Sequence, residues 1–260
     1  MKVCVLGSGS AGNCIFVSSG KSKTLIDLGL CATRVEKSLA VLGETCDDIN
    51  ILITHSHHDH TGGVESFCHR HPSAKVFCHA DGADEIRRKI RSASDKLQTF
   101  YGDFYIDELT VSPFRVSHDV FCVGYSLLCN GRKVSIATDL GVIPESLVDG
   151  IADSDLVVIE SNHDERLLMA NPAYSPVLKR RILSSHGHLS NETCATVVEK
   201  LVKSGVRQFV LAHLSRENNY PELAYETTKD RLLLRGLVEG EHYTMEVASQ
   251  DKMSALFEIL

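Results

Sequence analysis

The chain has 260 residues, 43% hydrophobic and 23% charged, and a formal net charge of −7. That length supports a large core, and the acidity provides no overall field to draw in nucleic acid or an anionic membrane. A polyanionic ligand would need a local basic patch or metal ions. No apolar run approaches a membrane span, and the four-residue run VCVL near the start is too short for a signal-peptide core. Nine cysteines with no C-x-x-C pair read as reduced thiols, so the expectation is a cytoplasmic protein.

The chain opens MKVCVLGSGSAGNC, with Gly7, Gly9 and Gly12 spaced G-x-G-x-x-G after a strand-like run. A dinucleotide fingerprint needs a helix at the last glycine and an acidic residue about 20 positions on. Here NCIFVS alternates as a strand and Asp27 comes too soon, so no nucleotide cofactor is expected. The loop offers Ser8, Ser10, Asn13 and glycine N–H groups. It reads equally as a rim that cradles a substrate phosphate or as a tight strand connection. A hairpin to TLID follows. Thr33 and Glu36 suggest a capping box for a helix with Val35, Leu39 and Leu42 as its stripe and Gly43 as its stop.

The apolar strand ILIT leads directly into THSHHDHTGG, residues 54–63. Alternate residues of an extended chain share a face, so His55, His57 and Asp59 can converge, with His60 swinging in from the turn at Gly62 and Gly63. His58 points away. Three imidazoles and a carboxylate are costly to bury together unless a divalent cation offsets the cost, and these donors suit zinc, manganese or iron. Further on, His118 ends FRVSH, Asp139 ends SIATD and His213 ends FVLAH, each closing an apolar strand. A middle rich in strands, with an Asn130-Gly131 hairpin turn, gives way to alternating strands and helices. The expected fold class is α/β, one layered domain over residues 1–260, with sheets face to face and helices outside. The cluster of Cys68, His69, His71, Cys78 and His79 matches no zinc-finger spacing and reads as helix-end and strand residues. The basic run RRKIR, 87–91, reads as a solvated face.

The motif H-x-H-x-D-H at His55, His57, Asp59 and His60, with His118, Asp139 and His213 behind it, resembles the metallo-β-lactamase superfamily. The resemblance implies a four-layer αβ/βα sandwich with two divalent metal ions at one edge. One ion would take His55, His57 and His118, the other Asp59, His60 and His213, with Asp139 between them. Asp27 would orient the histidine loop from behind. Two such ions can share a hydroxide with a near-neutral pKa. GSGSAGN, HSHHDH, ESNHD at 160–164, LKRRI, GHLSN and HLSRENN together resemble the narrower YycJ/VicX-type branch of bacterial metallo-hydrolases. That resemblance implies a metal-dependent phosphodiesterase, a 5′→3′ DNA exonuclease acting through a metal-bridging hydroxide, with DNA or another phosphodiester as partner. Asp59 would hold a metal and orient the hydroxide.

Three local features favour a phosphodiester. His188, or its neighbour His186, precedes a helix that Ser190 or Asn191 would cap; it could contact a phosphate or protonate a leaving oxygen, or merely belong to a capping turn. Lys179, Arg180 and Arg181 lie just before it, and the glycine loop is the third. His163 would line the cleft or make a structural hydrogen bond. Within enzymes, the alternative is hydrolysis of a small phosphodiester, lactone or thioester; outside them, a regulatory metal-binding protein with incidental hydrolysis.

Overall fold

Alternation of apolar residues decides the layering. In β1 (Lys2–Gly7), Val3 and Val5 face one way and Cys4 and Leu6 the other, and all four are fully buried. A strand buried on both faces belongs to a sheet covered on both sides. Val3 and Val5 enter a core between two sheets, and Cys4 and Leu6 enter a core beneath helices. The computed structural model describes residues 1–260.

The first half runs β2 (Cys14–Ser18), β3 (Lys23–Ile26), α1 (Ala32–Val41), β4 (Ile49–Ile53), α2 (His58–Thr61), α3 (Val64–Arg70), β5 (Lys75–His79), α4 (Ala83–Lys89) and β6 (Leu97–Phe100). The second half runs β7 (Phe104–Ile106), β8 (Leu109–Val116), β9 (Cys122–Cys129), β10 (Arg132–Ala137), α5 (Glu145–Ile151), β11 (Leu156–Glu160), α6 (Glu165–Ala170), α7 (Pro176–Ile182), α8 (Asn191–Lys203), β12 (Gln208–Ala212), α9 (Pro221–Leu233), β13 (Thr244–Val247) and β14 (Phe257–Glu258). One seven-stranded sheet has the order β14-β1-β2-β3-β4-β5-β6 and the other β13-β12-β11-β10-β9-β8-β7. The last strand therefore returns to the first sheet, pairing antiparallel with β1.

Three cores separate four layers. Val35 and Leu39 of α1, Phe67 of α3 and Ile86 of α4 pack on the outer face of the first sheet. Tyr125, Leu127, Val158 and Val210 meet Val5, Ile15 and Leu52 between the sheets. Val148 of α5, Val198 and Leu201 of α8 and Leu232 of α9 cover the second sheet. This is the expected αβ/βα sandwich.

Local details depart from expectation in places. Thr33 and Glu36 form no capping box: Cys31 is the N-cap of α1 and gives no side-chain bond. Thr33 Oγ1 instead accepts from Arg70, and Glu36 pairs with Arg70 and His71, so α1 is tied to α3. Strands β6 and β7 and helix α5 carried no clear sequence signal. Ser190 is the cap of α8, its hydroxyl accepting from Thr193 N at 3.3 Å.

Parallel register aligns the strand ends. In β10, β11 and β12, Ala137 pairs with Ile159 and Ile159 with Leu211, so the three strands finish at one level. Ile26 of β3 pairs with Leu52 of β4 in the same way. The residues just past these ends, from both sheets, meet along one edge of the sandwich.

Candidate metal centre

Six buried residues of the site are delivered by strand ends. Asp27 follows β3, His55 follows β4, His118 follows β8, Asp139 follows β10, Glu160 closes β11 and His213 follows β12. Asp27, Asp139 and His213 hold left-handed φ values of 59°, 58° and 57°. Such backbone is costly for residues with a Cβ and persists where surrounding bonds over-determine it. At His213 those bonds are explicit: its N–H donates to Ser8 Oγ at 2.9 Å and its carbonyl accepts from Asn162 Nδ2 at 2.8 Å.

Two groups of donors converge around the histidine loop, His55, His57 and His118, and Asp59, His60, Asp139 and His213, and a third, Asp139, Glu160, His188 and His213, overlaps the second. Alternation accounts for His55 and His57 only. Asp59 and His60 sit on the single helical turn α2, where adjacent residues are turned toward the site by helix geometry and not by extended chain. His58 is exposed and outside both groups.

The spacings within these groups test whether a cation fits. His60 Nε2 lies 3.3 Å from Asp59 Oδ2 and 3.2 Å from Asp139 Oδ2. His213 Nε2 lies 3.4 Å from Asp59 Oδ2 and 3.5 Å from Asp139 Oδ1. His57 Nδ1 and His118 Nε2 are 3.4 Å apart. These are long for hydrogen bonds but match the edge of a tetrahedron of ligands about 2.0–2.1 Å from a central ion, which is about 3.3–3.4 Å. Buried His55 Nε2 and Asp139 Oδ2 have no hydrogen-bond partner, and a cation would satisfy both. The donor set therefore fits divalent metal.

The opposite nitrogens make short, true hydrogen bonds. His60 Nδ1 is 2.7 Å from Asp27 Oδ2, and His213 Nδ1 is 2.7 Å from Glu160 Oε1. Thr54 donates its N–H to Asp27 Oδ1 at 2.8 Å and sets its hydroxyl 3.0 Å from His55 Nδ1. Carboxylates behind histidines fix the ring tautomer and raise its basicity as a ligand. Asp27 stands behind His60 in this way. Glu160 was not singled out: it is fully buried and also takes His188 Nδ1 at 2.8 Å, Leu140 N–H at 3.1 Å and Leu189 N–H at 3.0 Å. Its signals were a carboxylate closing an apolar strand, the pattern that marked Asp139, and its place at the head of ESNHD.

Charge in the site is lopsided. Asp27, Asp59, Asp139 and Glu160 form ion pairs only with histidines. Burial alone would lower the histidines, but the carboxylates win at some of them. Asp139 and Asp27 hold His60 well above its ordinary range, and Asp139, Asp59 and Glu160 push His213 up to about 10. Burial lowers His55 well below its usual value, with repulsion from His60 and His118 adding to it. Protons on His60 and His213 stand in for positive charge that the carboxylates demand.

The other expected site residues divide. His188 lies at the centre, its ring 5.3 Å from that of His213 and 5.4 Å from that of His118; His186 is exposed and bonds only locally. Ser10 is exposed on the glycine loop, but Ser8 and Asn13 are buried struts and not rim. Ser8 Oγ donates to Asn13 Oδ1 at 2.9 Å, and Gly9 N–H donates to the same oxygen at 2.9 Å. That fixes the amide so that Asn13 Nδ2 faces Asp59 Oδ2 at 3.4 Å and His60 Nε2 at 3.0 Å. Gly9 reaches this turn with φ +149°, in the region glycine favours. His163 also misses the rim: it is 1% exposed, neither ring nitrogen has a partner, and burial depresses it to about 4. Of the CHRHPSAKVFCH cluster, His71 bonds Glu36 and His79 caps a short turn, and none joins a donor group.

Two face-to-face mixed sheets with a histidine–aspartate cluster at one edge define a metallo-β-lactamase-type protein. Residues 25–214 match the beta-lactamase superfamily domain, and the chain belongs to that superfamily. It is 29% identical to the exodeoxyribonuclease WalJ of Streptococcus pneumoniae serotype 2 (strain D39) over 265 aligned residues, covering 99% of this chain and 98% of that one. It is 31% identical to the exodeoxyribonuclease YycJ of Bacillus anthracis over 244 residues, 92% of each chain. Among solved structures, the metallo-β-lactamase-fold protein YhfI of Bacillus subtilis shares the fold with a TM-score of 0.70, at 14% identity over 98% of this chain and 99% of that one.

Proposed function

We propose that the chain is a two-metal phosphodiesterase that shortens DNA from an end, with 5′→3′ polarity. The observation that carries the reading is the pair of adjoining donor groups with tetrahedral spacings, in a chain similar over nearly its whole length to two exodeoxyribonucleases. His55, His57 and His118 would hold one divalent ion; Asp59, His60 and His213 would hold the other, with Asp139 reaching both. Bound there, the ions would lower the pKa of an attacking water and neutralise charge growing on the phosphate oxygens.

The protein's own groups supply the rest. Asp27 and Glu160 keep His60 and His213 in the tautomer that presents Nε2 inward. Asp59 has one oxygen 3.3 Å from His60 Nε2 and 3.4 Å from His213 Nε2, which leaves its carboxylate placed to orient the attacking water. Glu160 also accepts from His188 Nδ1, so the proton His188 can give away is on Nε2. Burial opposes protonation of His188, but Glu160 outweighs it and raises the ring's pKa. Glu160 thereby favours the protonated ring, which suits His188 to protonate the leaving 3′ oxygen as a general acid. Seven of the nine cysteines are buried thiols and none is paired, which supports a reducing, cytoplasmic setting.

The test is a polarity-resolved digestion. Oligonucleotides labelled at either end, with Mn²⁺ or Zn²⁺, should lose nucleotides stepwise from the 5′ end only. Turnover of bis(p-nitrophenyl) phosphate or a thioester without shortening of DNA would contradict the reading and favour a small substrate.

A further inference from the structure

The basic run LKRRI is not a solvated face standing alone. Lys179, Arg180 and Arg181 fill the last turn of α7, which buries none of its residues. Arg181 is 59% exposed at its side chain and pairs with Asp119 Oδ2. The other oxygen of Asp119 lies 3.2 Å from His118 Nε2 and 3.4 Å from His57 Nε2. The guanidinium thus stands one carboxylate away from the first ligand group, on its solvent side.

Its placement is rigid. The chain leaves α7 and folds back at once, so that His188 N–H donates to Ile182 O at 3.0 Å. A Cβ on Gly187 would stand 2.1 Å from Ile182 O and 2.4 Å from Arg181 O, so only glycine admits this turn. A Cβ on Gly141 would likewise stand 2.3 Å from Ser184 O, which packs the turn against the chain just past Asp139. The end of α7 is therefore fixed to His188 and to the Asp139 turn together.

We infer that Arg181 is a substrate-binding residue: its guanidinium leaves Asp119 to grip the phosphate next to the scissile one on the DNA strand, which makes it a determinant of polymer over small-diester specificity. The inference rests on the phosphodiesterase reading above. An exposed Arg–carboxylate pair is weakly held, so exchange for a phosphate is easy, and a guanidinium matches phosphate oxygens two at a time. The chain's charge of −7 provides no general field for a polyanion, so a local cation beside the metal site adds to what holds one. Asp119 keeps the arginine extended over the cleft while substrate is absent.

The experiment compares a short single-stranded oligonucleotide with bis(p-nitrophenyl) phosphate in the metal-loaded enzyme. Arg181→Ala should lower kcat/KM for the oligonucleotide roughly 10-fold more than for the small diester, through KM. It should also flatten the salt dependence of the oligonucleotide KM by about 0.7 in log–log slope. Arg181→Lys should recover part of the loss, and Lys229→Ala, which removes a charge from α9, should reproduce none of it. Equal losses on both substrates, or an unchanged oligonucleotide KM and slope, would overturn the inference while leaving the exonuclease reading intact. A wild-type enzyme that cannot shorten oligonucleotides at all would overturn that reading, and this inference with it.

Discussion

Glu160 occupies a place water cannot reach, yet it serves two histidines and two backbone N–H groups. Its charge is kept because four donors replace its hydration, which outweighs the cost of burial and holds its carboxyl well below the ordinary range. Glu160→Gln preserves volume but removes the charge behind His213 and His188. We expect metal affinity or turnover to fall by about 10- to 100-fold, the usual cost of losing such a partner. We also expect the alkaline limb of the kcat profile to move to lower pH, because His188 then loses the carboxylate that holds its proton. An unchanged limb would remove His188 as the proton donor. The seven donor residues were legible because His118, Asp139 and His213 each close an apolar strand and His55, His57, Asp59 and His60 form one compact motif after ILIT. Glu160 had the same signature, but its importance lies in partners 28 and 53 residues away and in backbone donors that no side-chain pattern records.

The glycine loop is the element whose meaning changed most. Its spacing mimics a nucleotide fingerprint, but its glycines serve a turn between antiparallel β1 and β2, and its Ser8 and Asn13 side chains are buried. A chain of bonds runs from His213 N–H to Ser8 Oγ, on to Asn13 Oδ1, and from Asn13 Nδ2 to Asp59. It braces a ligand of the second sheet against ligands following the first. Asn13→Ala and Ser8→Ala should each weaken one of two metal-binding events, read by calorimetric titration, and leave the other near wild type. Because both act through one chain of bonds, the double variant should lose little more than the worse single variant. Additive losses would show that the two residues act separately. Most strands and helices and their order were readable from periodicity, β6, β7 and α5 excepted. The brace was not, since burial of a serine and an asparagine depends on which loops the sandwich brings together. The same holds for α2, where a helical turn follows a strand with no cap to announce it.

Across the whole molecule, two sheets contribute strand ends to one acidic, histidine-rich edge. This has a consequence for the metal-free chain. His213, pushed up to about 10 by Asp139, Asp59 and Glu160 against the effect of burial, contributes stability that is complete below its ordinary 6.5 and lost as pH rises through about 10. Glu160, held low, contributes stability present above its ordinary 4.5 and lost as pH falls through its lowered value. His55 and His163, held low by burial, contribute stability that is lost as pH falls below their ordinary 6.5, so chelator-stripped protein should have its highest urea midpoint near pH 6.5. Zn²⁺ or Mn²⁺, by taking the place of protons, should raise the midpoint most on the alkaline side. A midpoint that is flat from neutral to alkaline pH and indifferent to metal would contradict the charge balance described for the site. The central claim is tested most directly by titrating stripped protein with metal while following the shortening of a labelled oligonucleotide. The account predicts that activity appears only as the second equivalent per chain is taken up. Full activity without metal, saturation at one equivalent, or no shortening of DNA with both sites filled would contradict it.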